Sequence, residues 1–326
     1  MTVDIEQLAE RVAAGDRRAL ARAITLVESA RADHRAEAAR LIARLGTARQ
    51  ALRIGLSGTP GVGKSSFIET FGMMLTGRGL RVAVLAVDPS SARSGGSILG
   101  DKTRMERLSR DPLAFIRPSP SQTHLGGVAR RTREAIALCE AAGFDLVLVE
   151  TVGVGQSETL VAEMVDMFVL LLAPAGGDEL QGVKRGIMEM ADLILVNKAD
   201  GALKETATRT RADYAGALRL LRKRAEDPEG FPRAMCVSAA EGSGMEETWA
   251  AMQSLASWRR ESGHFATRRA GQARHWFEEE VREGLLARLR TPEARARLAA
   301  AGARVVAGET GAAEAAADFL ATLGPA

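Results

Sequence analysis

Leu52-Arg53-Ile54-Gly55-Leu56-Ser57-Gly58-Thr59-Pro60-Gly61-Val62-Gly63-Lys64-Ser65 is a short β-forming run that ends in the pattern G-x-x-x-x-G-K-S. A segment of helical length, 64–78, follows it. Strand, glycine-rich turn and helix in that order make a phosphate-binding loop rather than an ordinary turn. Glycines let successive backbone N–H groups turn inward around an anion, and the helix N-terminus adds its partial positive charge. Lys64 then supplies a point charge for the β- and γ-phosphate oxygens, and Ser65 a hydroxyl for Mg²⁺. The candidate loop residues are Gly58, Thr59, Pro60, Gly61, Val62, Gly63, Lys64, Ser65 and Ser66.

Outward from this stretch the period of the sequence stays that of an α/β domain. Short apolar runs at 52–57, 81–88, 113–117, 145–150, 167–173, 193–197 and 234–237 alternate with helical-length segments such as 64–78, 125–142 and 203–224. Continuous apolar strands separated by helices predict a mostly parallel sheet covered on both faces. Residues 51–258 are expected to form this domain. Residues 1–50, rich in Ala, Arg, Leu and Glu, predict a helical N-terminal extension, with Ile5, Leu8 and Val12 and then Leu20, Ile24 and Val27 at helical spacing. Residues 259–326 predict a helical C-terminal arm that carries Phe277, Val281, Leu285 and Leu289 on one stripe. Such a stripe is expected to bury itself on the domain or against a second copy.

Composition narrows the partners. The 326 residues carry 44 Lys+Arg against 41 Asp+Glu, a surplus too small to argue for nucleic acid. Aromatics are 4% of the chain, which disfavours base-stacking platforms and membrane belts. No run approaches the roughly 18 apolar residues of a spanning helix. Acidic residues precede the basic ones at the start, the reverse of a targeting peptide, so an unprocessed chain is expected. Two cysteines, Cys139 and Cys236, make no disulfide framework, and a reducing cytoplasm fits. Only six of the 44 basic residues are lysines, so Lys64, Lys102, Lys184 and Lys198 stand out as places where a compact ammonium is wanted.

Asn197-Lys198-Ala199-Asp200 follows a later strand and reads N-K-x-D. Guanine alone presents N1–H and N2–H₂ side by side. A carboxylate at Asp200 accepts both, whereas adenine would leave it unpaired. Asn197 would brace the phosphate loop, the Lys198 stem would lie over the ring, and Ser238-Ala239 would offer a backbone N–H to the guanine O6. Glu150-Thr151-Val152-Gly153 closes another strand. Its Gly153 N–H would sense a γ-phosphate, and Glu150, with Ser65, Asp88 and Asp101, is a candidate Mg²⁺ contact, not all of them direct because octahedral Mg²⁺ takes few protein ligands. Val154 stands where a water-orienting Gln would follow the sensing Gly, so intrinsic hydrolysis of GTP to GDP is expected to be slow. Gln181 or Lys184, from the glycine-rich segment 176–185, would then complete the catalytic set of Lys64 and Glu150 when a partner binds.

Six spellings together resemble one family. They are G-x-P-G-V-G-K-S-S at 58–66, V-D-P-S-S at 87–91, G-G-S-I-L-G-D-K-T-R-M at 95–105, V-E-T-V-G-V-G-Q-S-E at 149–158, G-D-E-L-Q-G-V-K-R-G at 177–186 and N-K-A-D at 197–200. The chain resembles the MeaB/ArgK-type G-protein chaperones of methylmalonyl-CoA mutase, relatives of the human methylmalonic aciduria type A protein. The resemblance implies a SIMIBI-class P-loop GTPase that forms a homodimer through its C-terminal helices. It also implies Mg²⁺ contacts at Ser65, Asp88, Asp101 and Glu150, and a partner-responsive switch at 177–184. The implied partner is the mutase, whose adenosylcobalamin loading is gated by GTP and which is protected from inactivation. The chain lacks the D-x-H-x-x-G cobalamin signature, so the partner would hold that cofactor. Two other readings of the same loop are a kinase acting on a small molecule or protein, and a metal-delivery GTPase. The absence of His/Cys clusters speaks against the latter.

Overall fold

The computed structural model describes residues 4–29, 31–87, 105–118, 125–151, 157–174, 185–221, 224 and 227–322. They form two compact units, Met1–Arg268 and Arg269–Ala326.

The first unit is built on seven parallel strands: β1 (Leu52–Ser57), β2 (Val82–Val87), β3 (Ala114–Arg117), β4 (Leu146–Thr151), β5 (Met167–Leu172), β6 (Leu193–Val196) and β7 (Arg233–Cys236). Their order across the sheet is β3-β2-β4-β1-β5-β6-β7. β1 therefore lies between β4 and β5, where the chain builds the sheet outward on one side with β2, β3 and β4 and on the other with β5, β6 and β7, and the carboxyl end of such a strand is where ligands bind in parallel sheets. Every expected strand is present to within a residue or so at its ends.

Alternation along the strands separates two faces. Leu52, Ile54 and Leu56 of β1, Leu146 and Leu148 of β4, and Val169 and Leu171 of β5 pack with Phe67, Ile68 and Phe71 of α4 (Lys64–Gly77) and with Trp249, Met252 and Leu255 of the helix Met245–Glu261. Phe67 and Phe71 stack at 5.2 Å, and Trp249 meets Phe71 edge-on at 6.1 Å. The opposite face includes Gly55, where an added Cβ would come within 2.8 Å of Val161 in the helix Ser157–Met164.

Helices α1 (Ile5–Ala13), α2 (Arg17–Glu28) and α3 (Ala32–Leu45) belong to this same unit. Asp4 and Asp16 start the first two by accepting the Gln7 N–H at 3.1 Å and the Arg18 N–H at 2.8 Å. α2 runs along β3. Arg17 donates to the Asp111 carbonyl below that strand at 3.1 Å, and Arg117 at its upper end donates to Glu28.

The lower rim of the sheet is tied by aspartates that each stand immediately before a strand. Asp145 accepts the Arg81 N–H at 2.8 Å, Asp166 the Arg53 N–H at 2.8 Å and Asp192 the Phe168 N–H at 2.7 Å. Arg259 reaches Asp192 at 2.6 Å and Asp227 at 2.7 Å, and Arg224 joins them. Burial alone would raise the Asp192 pKa, but the Arg259 and Arg224 charges outweigh it and hold it below the ordinary value.

In the second unit, Thr291 caps the helix Pro292–Val306 by accepting the Ala294 N–H at 3.2 Å. That helix packs on Ala312–Thr322, burying Ala294, Ala315 and Phe319. Phe277, Val281 and Leu285 stand exposed at 68%, 47% and 56%. No helix of the described residues is long and apolar enough to cross a membrane.

Candidate nucleotide site

The turn between β1 and α4 has a shape that only glycine permits. Gly58 has φ +154°, and a Cβ there would sit 2.3 Å from the Leu171 carbonyl oxygen of β5. Gly63, at φ +91°, is the N-cap of α4, and a Cβ there would fall 2.6 Å from Asn197 Nδ2. Because Gly63 has no side chain to cap the helix and the first turn holds no acidic residue, the N-terminal partial positive charge of α4 is left for an outside anion. The Lys64 ammonium lies over the loop, donating to the Gly58 carbonyl at 2.6 Å and the Thr59 carbonyl at 3.4 Å. Thr59, Pro60, Gly61 and Ser66 are exposed, Val62 is buried, and Ser65 is half-buried at the first turn.

The N-K-x-D segment is wired into this loop. Asn197, 1% exposed, donates from Nδ2 to the Val62 carbonyl at 2.9 Å and more weakly to that of Gly63 at 3.4 Å. Its Oδ1 accepts the Ala239 N–H at 3.1 Å, so the N–H that the sequence reading placed against guanine O6 is here engaged by Asn197. Lys198 has φ +59°, the only non-glycine residue with positive φ among those described, and its Nζ donates to the Gly61 carbonyl at 2.7 Å. A non-glycine residue in the left-handed region carries strain, and such strain gathers at functional sites. Asp200 accepts a short hydrogen bond from the buried Ser238 hydroxyl, which itself accepts the Glu241 N–H at 3.1 Å. That relay fixes the Asp200 carboxylate, the group that the sequence reading assigns to the base. Thr70 of α4 donates to the Ala239 carbonyl at 2.7 Å, closing the ring of contacts around the loop.

Glu150 pairs in register with Leu56 and Ala86. By alternation from Leu146 and Leu148 it faces the side of the sheet that α4 covers, and it is 4% exposed. The next residue, Thr151, donates to Ser57 Oγ at 3.0 Å, locking β4 to the end of β1. The Glu150 carboxylate and the Ser65 hydroxyl thus stand at one edge and on one face of the sheet, and hard oxygen donors of this kind suit Mg²⁺. Asp88, Asp101, Gly153, Gln181 and Lys184 lie outside the described residues.

Sequence reasoning missed the Ser238 relay, the strained Lys198 backbone and the Thr70 link. The S-A dipeptide was the available signal for the first, and no local pattern announces the other two.

The model of the family described as "Methylmalonyl Co-A mutase-associated GTPase MeaB" matches residues 20–294. The chain belongs to the MeaB family of GTPases. A Caulobacter vibrioides protein named as a GTPase is 55% identical over 284 residues, 87% of this chain and 86% of that one. The mouse methylmalonic aciduria type A homolog is 51% identical over 298 residues, covering 88% and 71%, and the Escherichia coli GTPase ArgK is 49% identical over 277 residues, covering 85% and 83%. The crystal structure of a protein named LAO/AO transport system kinase superposes with a TM-score of 0.74 at 35% identity over 99% of both chains. The MeaB-family and P-loop readings of the sequence are borne out by these matches.

Proposed function

We propose that this protein is a guanine-selective, Mg²⁺-dependent G protein that hydrolyses GTP to GDP and passes its nucleotide state to a methylmalonyl-CoA mutase, gating the loading of adenosylcobalamin held by that partner and protecting the mutase from inactivation. The observation that carries this reading is the bracing of the phosphate loop by the base-reading segment, Asn197 to Val62 and Lys198 to Gly61. Through those bonds guanine bound at Asp200 steadies the loop that holds its phosphates. Lys64 and the N–H groups at the start of α4 neutralise charge on the transferring phosphoryl group, the largest contribution a protein makes to this chemistry. Ser65 and Glu150 would hold Mg²⁺, which supplies electrostatic stabilisation of the phosphates, with Asp88 and Asp101 as further candidates.

Gly153 would sense the γ-phosphate, and Gln181 and Lys184 are proposed as the groups that complete catalysis when the partner binds. Intrinsic turnover would then be slow and partner-stimulated. Residues 1–50 are read as an extension of the GTPase domain, residues 51–258, and 259–326 as the dimerisation arm of a homodimer. The exposed Phe277, Val281 and Leu285 at helical spacing support that arm. Both cysteines are free thiols, in keeping with a reducing cytoplasm.

The test is GTP and ATP hydrolysis by purified protein with Mg²⁺, with and without the mutase, with Lys64→Ala as background. GTP-selective turnover that rises severalfold with mutase is expected. ATP turnover equal to that of GTP would remove the base assignment, and GTP turnover indifferent to mutase would remove the client. Phosphoryl transfer to a small acceptor outrunning phosphate release would favour the kinase reading that the LAO/AO name suggests. For the arm, Phe277→Ser with Val281→Ser is expected to give monomers by light scattering, and an intact dimer would move the interface elsewhere.

A further inference from the structure

A second cationic cluster stands on the upper rim of the sheet at the edge strand β3, which follows α5 (Glu106–Arg110), where α2, α3 and α6 (Leu125–Ala141) meet. Two carboxylates there are already consumed. Glu134 of α6 takes both guanidinium arms of Arg35 at 3.0 and 3.1 Å. Glu28 takes both arms of Arg117, the last residue of β3. Arg130 and Arg131 of α6 are left over. Arg131 is only 9% exposed, and the Nε atoms of both residues are buried without a hydrogen-bond partner among the described residues. Burial first, and then the neighbouring Arg130 and Arg35 charges, push the Arg131 pKa down, with Glu28 and Glu134 acting the other way.

A buried guanidinium beside two like charges is costly to a fold, and an apolar side chain in its place is often neutral or stabilising. Residues that break this rule mark places where stability is given up for function. The geometry points to an oxyanion site formed by Arg130 and Arg131, flanked by Arg35, that binds the phosphate monoester of a ligand other than the guanine nucleotide. Charge selects the ligand: the four arginines Arg35, Arg117, Arg130 and Arg131 outnumber the two carboxylates Glu28 and Glu134 by two, a surplus that matches a phosphate monoester of about −1.5 to −2, and the planar fork of arginine suits phosphate oxygens. Position separates it from the nucleotide site. β3 stands three strands from β1, about 14 Å at the usual strand spacing, while the base-reading segment follows β6 on the other side of β1.

Thermal melts of the full chain and of Arg131→Met in inorganic phosphate, against chloride at matched ionic strength, test the site. Phosphate bound in the glycine-rich loop is common to both proteins, so the difference between them reads the cluster alone. In chloride the variant is expected to melt at or above the wild type. With phosphate at ~10 times its dissociation constant the wild type should rise about 2 °C more than the variant. Arg130→Gln, at a half-exposed position that tolerates change, should lose part of that response should Arg131→Met fold poorly. Equal phosphate responses in wild type and both variants would overturn the site, and an acetate response as large as that to phosphate would overturn the phosphate assignment.

Discussion

Replacing Asn197 by Ala tests the link between base reading and phosphate binding directly. The side chain is 1% exposed and makes two good hydrogen bonds, to the Val62 carbonyl at 2.9 Å and from the Ala239 N–H at 3.1 Å, with a weaker third to Gly63 at 3.4 Å. Alanine leaves the buried Val62 carbonyl and the half-buried Ala239 N–H without this partner, at ~1–3 kcal/mol for the buried group and less for the other, so the nucleotide-free protein should lose about 3 kcal/mol. For a chain of this size that lowers Tm by about 4–5 °C. GDP then has to restore order to a loop no longer braced from behind, and its affinity should fall at least ~10-fold, equivalent to about 1.4 kcal/mol. Differential scanning fluorimetry reads the first effect and fluorescent-GDP titration the second. Asn197→Asp separates the two bonds, because its carboxylate still accepts from Ala239 but faces the Val62 carbonyl with another oxygen. It should therefore weaken nucleotide binding at least as much as Ala. A variant that melts within a degree of wild type and binds GDP unchanged would refute the bracing argument.

Asp200→Asn replaces an acceptor by a donor opposite the guanine N–H pair. GTP affinity should drop by ~100-fold or more and XTP, whose ring presents an acceptor there, should bind better than to wild type, as read by competition against labelled GDP. Asp192→Asn should cost about 2–3 kcal/mol at pH 7, because the buried Arg259 and the half-buried Arg224 then keep Asp227 as the one acidic partner among the described contacts. The folded pKa of Asp192 is depressed, so its contribution is present above the unfolded value near 3.9 and is lost as pH falls through the folded one. Urea melts should accordingly show a constant gap between variant and wild type from pH 7 to about 5 that narrows below about 3.9, and a gap independent of pH would exclude this role. Arg53 and Glu140 form a buried bidentate pair at 2.9 and 2.7 Å. Arg53→Leu alone should destabilise by about 3–5 kcal/mol, and the double change with Glu140→Leu by clearly less. Additive losses in chemical denaturation would show that the two do not act as a pair.

What the sequence made legible is what depends on neighbours in the chain. The seven strands are apolar runs long enough to declare themselves, and the glycine-rich turn is spelled by residues whose backbone geometry demands those types. The strand order is another matter. That β4 enters between β2 and β1 depends on which apolar faces the helices cover, and local period carries none of that. The base of the sheet shows the same division. Asp145, Asp166 and Asp192 each precede a strand in the runs Asp-Leu-Val-Leu-Val, Asp-Met-Phe-Val-Leu and Asp-Leu-Ile-Leu-Val, a recurrence visible in the sequence. Its meaning appears only with the sheet assembled, when each carboxylate is found to accept the N–H of the adjoining strand.

The site divides along the same line. Lys198 looks from sequence like a stem lying over a base, and only the fold shows its backbone at φ +59° with the ammonium held on Gly61. An αL residue costs roughly 1 kcal/mol that a glycine at the same place would not. The sequence keeps lysine there against both that cost and a strong bias toward arginine, which argues that the ammonium itself is required. Bonds from Asn197 and Lys198 converge on three consecutive loop residues, Gly61, Val62 and Gly63, so in the proposed function a guanine at Asp200 and a phosphate at α4 would share one rigid support. Loss of either brace would then weaken base selectivity and grip on the phosphates together. A nucleotide with the wrong base would leave Asp200 without its hydrogen bonds while the Asn197 and Lys198 bonds to the loop stay in place.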